Sequence, residues 1–205
     1  DAKTPGGLIT LRNTASAFVI THELGHTLGL GHTNLIRCPN NVSDGIWSSC
    51  NAIEYGGAVD VMSNVDVQGP LSTYHQWRMG IIKDSDITQV WKTQTIDLKY
   101  TNSPTGTRAI FVRDGKQTYW IEFRKAADGY TPGLAIYRTD PPPSSSIVSP
   151  NVSDITDATT QAVTTDVWLM NLDTYRYTSS ATTSGSPILP LGRTFLDSTG
   201  NISVS

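Results

Sequence analysis

The sequence predicts an α+β fold, with a partly helical region at residues 1–83 and a β-rich region at residues 84–205. Two helical patterns lie before residue 83, joined by a long loop that is rich in Gly, Asn and Ser. After residue 83, short β-branched and aromatic runs alternate with turn residues, and no helical period continues. The 205 residues can bury a sizeable core, in one large domain or two small ones.

Composition and charge exclude several classes of partner. The 15 Lys and Arg residues do not cluster and are outnumbered by 18 Asp and Glu residues, which argues against nucleic acid or an anionic membrane surface. No apolar run approaches the roughly 18 residues that a membrane span needs. Only 16% of residues are charged, and Ser and Thr are abundant. We therefore expect a secreted, extracellular protein whose secretion signal was removed upstream.

Two helices are predicted in the first region. The first runs from about Ala15 to Leu28, with Thr14 or Asn13 as its N-cap. The second runs from Ser72, its predicted N-cap, to Met79, and Gly80 ends it.

The β-rich region is predicted to be an antiparallel, sandwich-like module. Its clearest hairpin joins 108–113 to 116–124 through a type I′ turn at Asp114-Gly115. In its second strand, Tyr119 and Trp120 are predicted to be sheet-face residues, the alternative being a sugar-binding platform. Further strands are predicted at 133–138, 167–172, 175–178 and 201–204, with a long loop at 144–163.

The two cysteines, Cys38 and Cys50, flank a short polar stretch that is rich in turn formers. Their spacing is not the C-x-x-C of a metal or redox site, and we predict a disulfide between them. Such a bridge contributes on the order of 3 kcal/mol on the chain-entropy model and is typical of oxidising compartments. The alternative is a pair of free thiols in a reducing compartment.

The first predicted helix contains the pattern H-E-x-x-H-x-x-G-x-x-H. His22 and His26 are four residues apart on one helix face, so both imidazoles can reach one ion. Gly29 can take the positive φ that ends the helix, which brings His32 to the same ion. Three protein ligands and a water form the catalytic type of zinc site, and zinc lowers the pKa of that water to about 7. Glu23 is the predicted general base and later proton donor. The alternative is a helix that merely contains three histidines.

This extended pattern is the metzincin signature, which implies a Met-containing turn further along the chain. The stretch Tyr55-Gly-Gly-Ala-Val-Asp-Val-Met62-Ser-Asn supplies one. In metzincins the corresponding Met lies under the zinc ligands as an apolar floor. The alternative for Met62 is an ordinary core residue in a loop.

Three segments together resemble the secreted gametolysin-like metallopeptidases: HELGHTLGLGH, EYGGAVDVMSN and PLSTYHQWRMGII. The chain departs from that pattern where Gly57 replaces the usual Asp and where Met79-Gly-Ile81 replaces Leu-Gly-Trp. In the β-rich region, 119–124, 132–137 and 190–197 are loosely similar to immune-inhibitor-A-like metalloproteases as well. The resemblance implies a metzincin-like lower subdomain, made of zinc helix, Met-turn and C-terminal helix, in residues 1–83.

The same resemblance implies a zinc-dependent endopeptidase that cleaves peptide bonds of extracellular proteins. Metzincins place a sheet and a helix before the zinc helix, whereas only 7–12 offers one strand here. We therefore expect a truncated or processed piece of a longer enzyme, with the upstream part of the polypeptide as its partner. Such a piece should bind one zinc ion but show weak or no proteolysis alone. The alternative function is a non-catalytic, zinc-containing module that binds a glycan or a matrix protein.

A few other side chains have open roles. His75 is predicted on a helix surface, the alternative being a place in the cleft. Tyr74 is predicted in the core, the alternative being a hydrogen bond to the tetrahedral oxyanion. Asp60 is either an exposed turn carboxylate or an acceptor for a ligand histidine's second ring nitrogen. Calcium could bind near 84–86 or 154–157, although neither stretch resembles an EF-hand loop.

Overall fold

The structure is a computed structural model that describes residues 9, 16–57, 59–63, 69–125, 132–143, 147–148, 166–170, 172–176 and 184–205. Its helices and strands confirm the α+β class. Neither of the two α-helices in these ranges is long and apolar enough to cross a membrane. The predicted calcium stretch at 154–157 lies outside these residues. Of the predicted strand at 7–12 the structure describes only Ile9, and of the predicted loop at 144–163 only 147–148.

Helix α1 spans Ala17–Thr27 and helix α2 spans Thr73–Arg78. Short 3₁₀ turns occupy Pro39–Asn41 and Asp84–Asp86. The strands, in chain order, are β1 Thr33–Arg37, β2 Asn51–Ile53, β3 Ile87–Val90, β4 Ala109–Asp114, β5 Gln117–Arg124, β6 Gly133–Arg138, β7 Ile147–Val148, β8 Val167–Leu169, β9 Asp173–Arg176, β10 Ser184–Ser186, β11 Leu189–Pro190, β12 Phe195–Leu196 and β13 Ser203–Val204.

Nine strands form one sheet in the order β3-β4-β5-β6-β8-β1-β2-β7, with β11 paired to β6. The sheet is mixed, since the pairs β1–β8, β3–β4 and β2–β7 are parallel. It therefore differs from the purely antiparallel arrangement that the strand patterns predict. Strands β1 and β2 come before residue 83, so the sheet draws on both predicted regions. Whether those regions fold separately stays a prediction.

Local contacts explain where each helix begins and where α2 ends. Helix α1 begins two residues later than predicted because Ser16, and not Thr14 or Asn13, is its N-cap; the Ser16 Oγ accepts a hydrogen bond from the Val19 N–H at 3.2 Å. Helix α2 has the predicted Ser72 cap. The chain then turns at Gly80, whose φ of 73° is in the left-handed region.

The predicted hairpin is present, but its turn lies one residue further on. Asp114 pairs with Gln117 and so belongs to β4, which leaves Gly115 and Lys116 as the two turn residues. Only Gly115 has a positive φ, so the predicted type I′ turn at Asp114-Gly115 is wrong. The Asp114 carboxylate accepts hydrogen bonds from Thr199 and Asn201, which hold it in the strand.

Strand β5 is buried on both faces, between two clusters of apolar side chains. Tyr119 and Ile121 pack into one cluster and Trp120 into the other, which confirms their predicted place on the sheet faces. Glu122 and Arg124 are also fully buried, with Arg124 Nη2 2.7 Å from Glu122 Oε1. Charged side chains therefore occupy core positions of the strand.

The predicted disulfide is confirmed: Cys38 and Cys50 are bonded, at 2.03 Å. Cys38 directly follows β1 and Cys50 directly precedes β2, so the bridge ties the ends of two paired strands. Gly45 packs against it, since a Cβ at that position would lie 2.6 Å from the Cys50 sulfur.

Candidate metal centre

Helix α1 presents His22 and His26 on one face, with their Nε2 atoms 3.1 Å apart. At Gly29, with a φ of 87°, the chain leaves the helix and turns toward β1. His32, directly before β1, thereby reaches the same point, and its Nε2 lies 3.0 Å from that of His26. One ligand atom from each histidine lies within 4.8 Å of the others, so the three side chains could hold a metal ion.

The other ring nitrogen of each histidine faces a fixed oxygen. Nδ1 of His22 lies 2.7 Å from the Val61 carbonyl, and Nδ1 of His26 lies 2.8 Å from the Leu30 carbonyl. A proton on Nδ1 satisfies each contact, and it leaves the Nε2 lone pair for a metal. This donor set fits an imidazole-binding ion such as zinc.

Glu54 provides the corresponding oxygen for His32, with its Oε1 3.2 Å from Nδ1. Sequence reasoning missed this carboxylate, although it directly precedes the Tyr55–Met62 stretch. Its proximity to His32 depends on the antiparallel pairing of β1 with β2, and no local spacing indicates that pairing.

Burial favours the neutral form of two of the three imidazoles, those of His22 and His32. It lowers the pKa of His32 to about 4, and the Glu54 carboxylate opposes this shift only in part. Burial likewise lowers the pKa of His22, against the opposing hydrogen bond to Val61. Both rings are therefore in the form that binds metals at neutral pH.

We expect Glu54→Ala to weaken zinc binding by about 10–100-fold, because His32 loses the partner that orients its ring. Glu54→Gln, which keeps an acceptor oxygen but no charge, should fall between the parent and Glu54→Ala. Competition with a chromophoric chelator measures the zinc dissociation constant. Asp97→Asn, at an exposed carboxylate that pairs with Lys99, is the control. Parent-like affinity in Glu54→Ala would show that the contact does not orient His32.

Tyr55 packs beside the histidines and was not predicted as a site residue. Its ring centroid lies 3.9 Å from that of His32 and 5.9 Å from that of His22. Its φ of 60° is in the left-handed region, which a non-glycine residue adopts only when its surroundings hold it there. A hydrogen bond from the Tyr55 N–H to Asn34 Oδ1, at 2.9 Å, supplies part of that hold.

Met62 is fully buried and lies against helix α1 between the first two histidines. A Cβ on Gly25 would be only 2.4 Å from the Met62 sulfur, so any other residue at position 25 would require the Met62 side chain to shift. Gly57 is similarly confined, since its Cβ would lie 2.5 Å from the Thr33 carbonyl oxygen. An Asp, as in the resembled family, does not fit on this backbone.

Glu23 directly follows the first histidine on helix α1. Its charge is near enough to His22 to raise that imidazole's pKa, although burial outweighs the effect. The structure thus places a carboxylate next to the histidine group. Its role as general base stays a prediction.

Asp60 and His75 are both fully buried, which overturns the expected surface position of His75 and excludes one of the two alternatives for Asp60. Asp60 is not an exposed turn carboxylate, and His75 is not on a helix surface. Asp60 Oδ2 lies 3.6 Å from Nδ1 of His75, whereas the Nδ1 atoms of the three grouped histidines face other oxygens. Helix α2 is too short and too enclosed to have a solvent face over its first four residues.

Tyr74, also on α2, packs edge-on against Trp120 in the core, as predicted.

Asp166 is a further residue that sequence reasoning missed. Its Oδ1 accepts a hydrogen bond from the His32 N–H at 2.6 Å, and the His32 carbonyl accepts one from Val167 N at 3.1 Å. Gly31 makes room for this contact, because a Cβ there would lie 2.1 Å from the carboxylate oxygen. The β-rich region therefore holds the backbone of the third histidine, from 134 positions away.

The acidic residues near position 84 have protein partners. Asp84 accepts a hydrogen bond from the Trp77 indole at 2.8 Å, and Asp86 is 2.6 Å from Arg108. Within the part of the chain that the structure describes, the three histidines are the group suited to a metal ion. Calcium binding at this stretch stays a prediction that these contacts do not favour.

No protein-family model, curated protein or solved structure matches this chain. The likeness to gametolysin-like metallopeptidases is therefore a likeness of motifs.

Proposed function

We propose that the chain is a zinc-dependent endopeptidase of the metzincin type, acting on extracellular proteins. The observation that carries this proposal is the convergence of three Nε2 atoms while each Nδ1 faces a fixed oxygen. A histidine group with no ligand function has no need for this common orientation. The adjacent Glu23 adds the acid–base group that peptide hydrolysis requires.

His22, His26 and His32 would hold the ion. When bound, zinc acts as a Lewis acid toward the scissile carbonyl and lowers the pKa of a water to about 7. The lowered pKa values of His22 and His32 support this assignment, because neutral imidazoles need not lose a proton before they bind.

Glu23 takes a proton from the water that attacks the scissile carbonyl carbon. The water oxygen becomes part of the new carboxyl group, and the C–N bond breaks. Glu23 then returns the proton to the leaving nitrogen, which departs as an amine. The carboxylate ends each cycle as it began, and no acyl-enzyme forms.

Met62 supplies the apolar floor that the metzincin assignment requires. It is fully buried, and its sulfur lies against Gly25 between the first two histidines. The Met62 side chain therefore covers helix α1 at Gly25 and keeps bulk water from this part of the helix.

The disulfide supports an extracellular location, because cystine bridges persist in oxidising compartments. The alternative of a glycan-binding module gains nothing from Tyr119 and Trp120, since both are buried and neither offers an exposed platform. The contact of Asp166 with His32 instead makes the β-rich region part of the metal centre.

A peptide library incubated with the intact chain tests the proposal. We expect new peptide termini with zinc present, and their loss after chelation and in His26→Ala. Long incubation and mass spectrometry detect turnover even where it is slow. If the chelated chain produces the same termini as the zinc-loaded chain, the proposal is wrong. Binding of a glycan or matrix protein without cleavage would favour the alternative.

A further inference from the structure

We propose that Asp60 and His75 are a pair of positioning residues that set the geometry of the three-histidine centre through the loop at Val61 and Met62. The inference rests on the metal-binding part of the proposed function and is independent of peptide hydrolysis. Neither side chain faces the ion's ligand atoms directly. Their effect would pass through three contacts of the loop between them and the histidines.

Asp60 organises the loop from inside. Its Oδ1 accepts a hydrogen bond from Met62 N–H at 3.0 Å, and its Oδ2 accepts one from Ser72 N–H at 2.7 Å. The Asp60 carbonyl accepts a further hydrogen bond from the Ser63 hydroxyl at 2.7 Å. One buried residue thus fixes the backbone on both sides of Val61 and ties it to the start of α2.

The loop contacts each part of the metal centre. The Val61 carbonyl accepts from His22 Nδ1 at 2.7 Å. The Met62 carbonyl accepts from Thr33 N–H at 2.9 Å, directly beside His32. The Met62 sulfur lies against Gly25, next to His26. A shift of this loop would therefore move the environment of all three ligands together.

His75 lies beside the Asp60 carboxylate on the side of helix α2. Its Nδ1 is 3.6 Å from Asp60 Oδ2, and its backbone N–H donates to the Ser72 cap at 3.2 Å. Helix α2 is in turn held to the sheet, because Glu122 Oε2 accepts from both the N–H and the hydroxyl of Thr73. The pair therefore links the loop to a rigid support.

The charge environment keeps Asp60 in the form that accepts these hydrogen bonds. Burial raises the pKa of Asp60, but His75 and the Arg124 charge outweigh it and hold the pKa below its usual value. Arg124 also donates to the carbonyls of Val59 and Pro70, at 3.0 and 2.7 Å. The same buried network thus contacts the backbone two residues before Val61 and two residues before Ser72.

Removing the pair tests the inference. We expect Asp60→Asn and His75→Leu to weaken zinc binding by about 10–100-fold and to change the visible absorption of the Co²⁺-loaded chain, which reports ligand geometry. His75→Asn, whose side-chain amide can donate from near the Nδ1 position, should restore part of both. Zinc affinity is measured by chelator competition at a temperature where circular dichroism shows each variant folded.

Asp44→Asn is the matched control for a loss of stability alone. Asp44 is also a buried carboxylate, and it accepts from Tyr119, Arg138 and Ser198 away from the histidines. It should lower the unfolding midpoint while leaving zinc affinity and the Co²⁺ spectrum at parent values.

Parent-like affinity and spectrum in both Asp60→Asn and His75→Leu would overturn the positioning role. Losses in Asp44→Asn as large as theirs would overturn it too. If Asp60→Asn does not fold, the difference between His75→Leu and His75→Asn decides. A parent chain that binds neither ion would overturn the proposed function itself, and this inference with it.

Discussion

Glu23→Gln should reduce peptide hydrolysis by about 10²–10⁴-fold, the range that a positioned general base contributes. The amide keeps the size of the carboxylate but cannot take a proton from the attacking water. The three histidines are unchanged, so zinc content should stay at the parent level. Cleavage of the best peptide from the library, measured as kcat/KM beside bound zinc, checks both expectations.

Two comparisons make the Glu23 result specific. Asp97→Asn, which removes an exposed carboxylate whose ion-pair partner is Lys99 and not a histidine, should cleave as the parent does. His26→Ala should lose zinc and activity together, whereas Glu23→Gln should lose activity alone. Hydrolysis by Glu23→Gln at the parent rate would show that another group accepts the proton.

Arg124→Met should lower the free energy of unfolding by about 3–5 kcal/mol, the usual result of leaving a buried charge without its partner. The guanidinium is fully buried and contacts Glu122 at 2.7 Å through both Nε and Nη2. Its loss leaves the Glu122 carboxylate in the core and frees the carbonyls of Val59 and Pro70. Denaturant unfolding followed by circular dichroism measures the change.

Arg108→Met is the matched comparison for Arg124→Met. Arg108 is 2.6 Å from Asp86, but both side chains are partly exposed to water. Water can therefore solvate the carboxylate that is left, and the loss should be about 1 kcal/mol or less. If both variants lost the same stability, burial would not be what makes the Arg124 contact important.

The features that the sequence predicted are those that depend on neighbours along the chain. The positions of His22 and His26 follow from helix periodicity, and the turn toward His32 follows from a glycine that can adopt a positive φ. The Ser72 cap is likewise local. Such signals need no knowledge of what packs against the segment.

Features that depend on distant pairing were missed. Asp166 reaches His32 only because β1 and β8 pair in parallel, and Glu54 reaches it because β2 returns beside β1. His75 had the pattern of a surface residue because nothing local indicates that α2 is enclosed by the sheet and the Met62 loop. The burial of Glu122 and Arg124 was missed for the same kind of reason, because the contact between the two charged side chains is what permits their burial.

The hydrogen bond from His32 to Asp166 also has a consequence for the energetics of the whole chain. An ion that binds the folded state and not the unfolded one raises the free energy of unfolding by RT ln(1 + [ion]/Kd). This is about 2.7 kcal/mol when the ion concentration is a hundred times Kd. Asp166 directly precedes β8, and Val167 of that strand also donates to the His32 carbonyl. Because β8 pairs with β6, we expect the added stability to extend from the third histidine to the sheet. Metal occupancy should therefore protect the amide hydrogens of β5 and β6 from exchange, as well as those of helix α1.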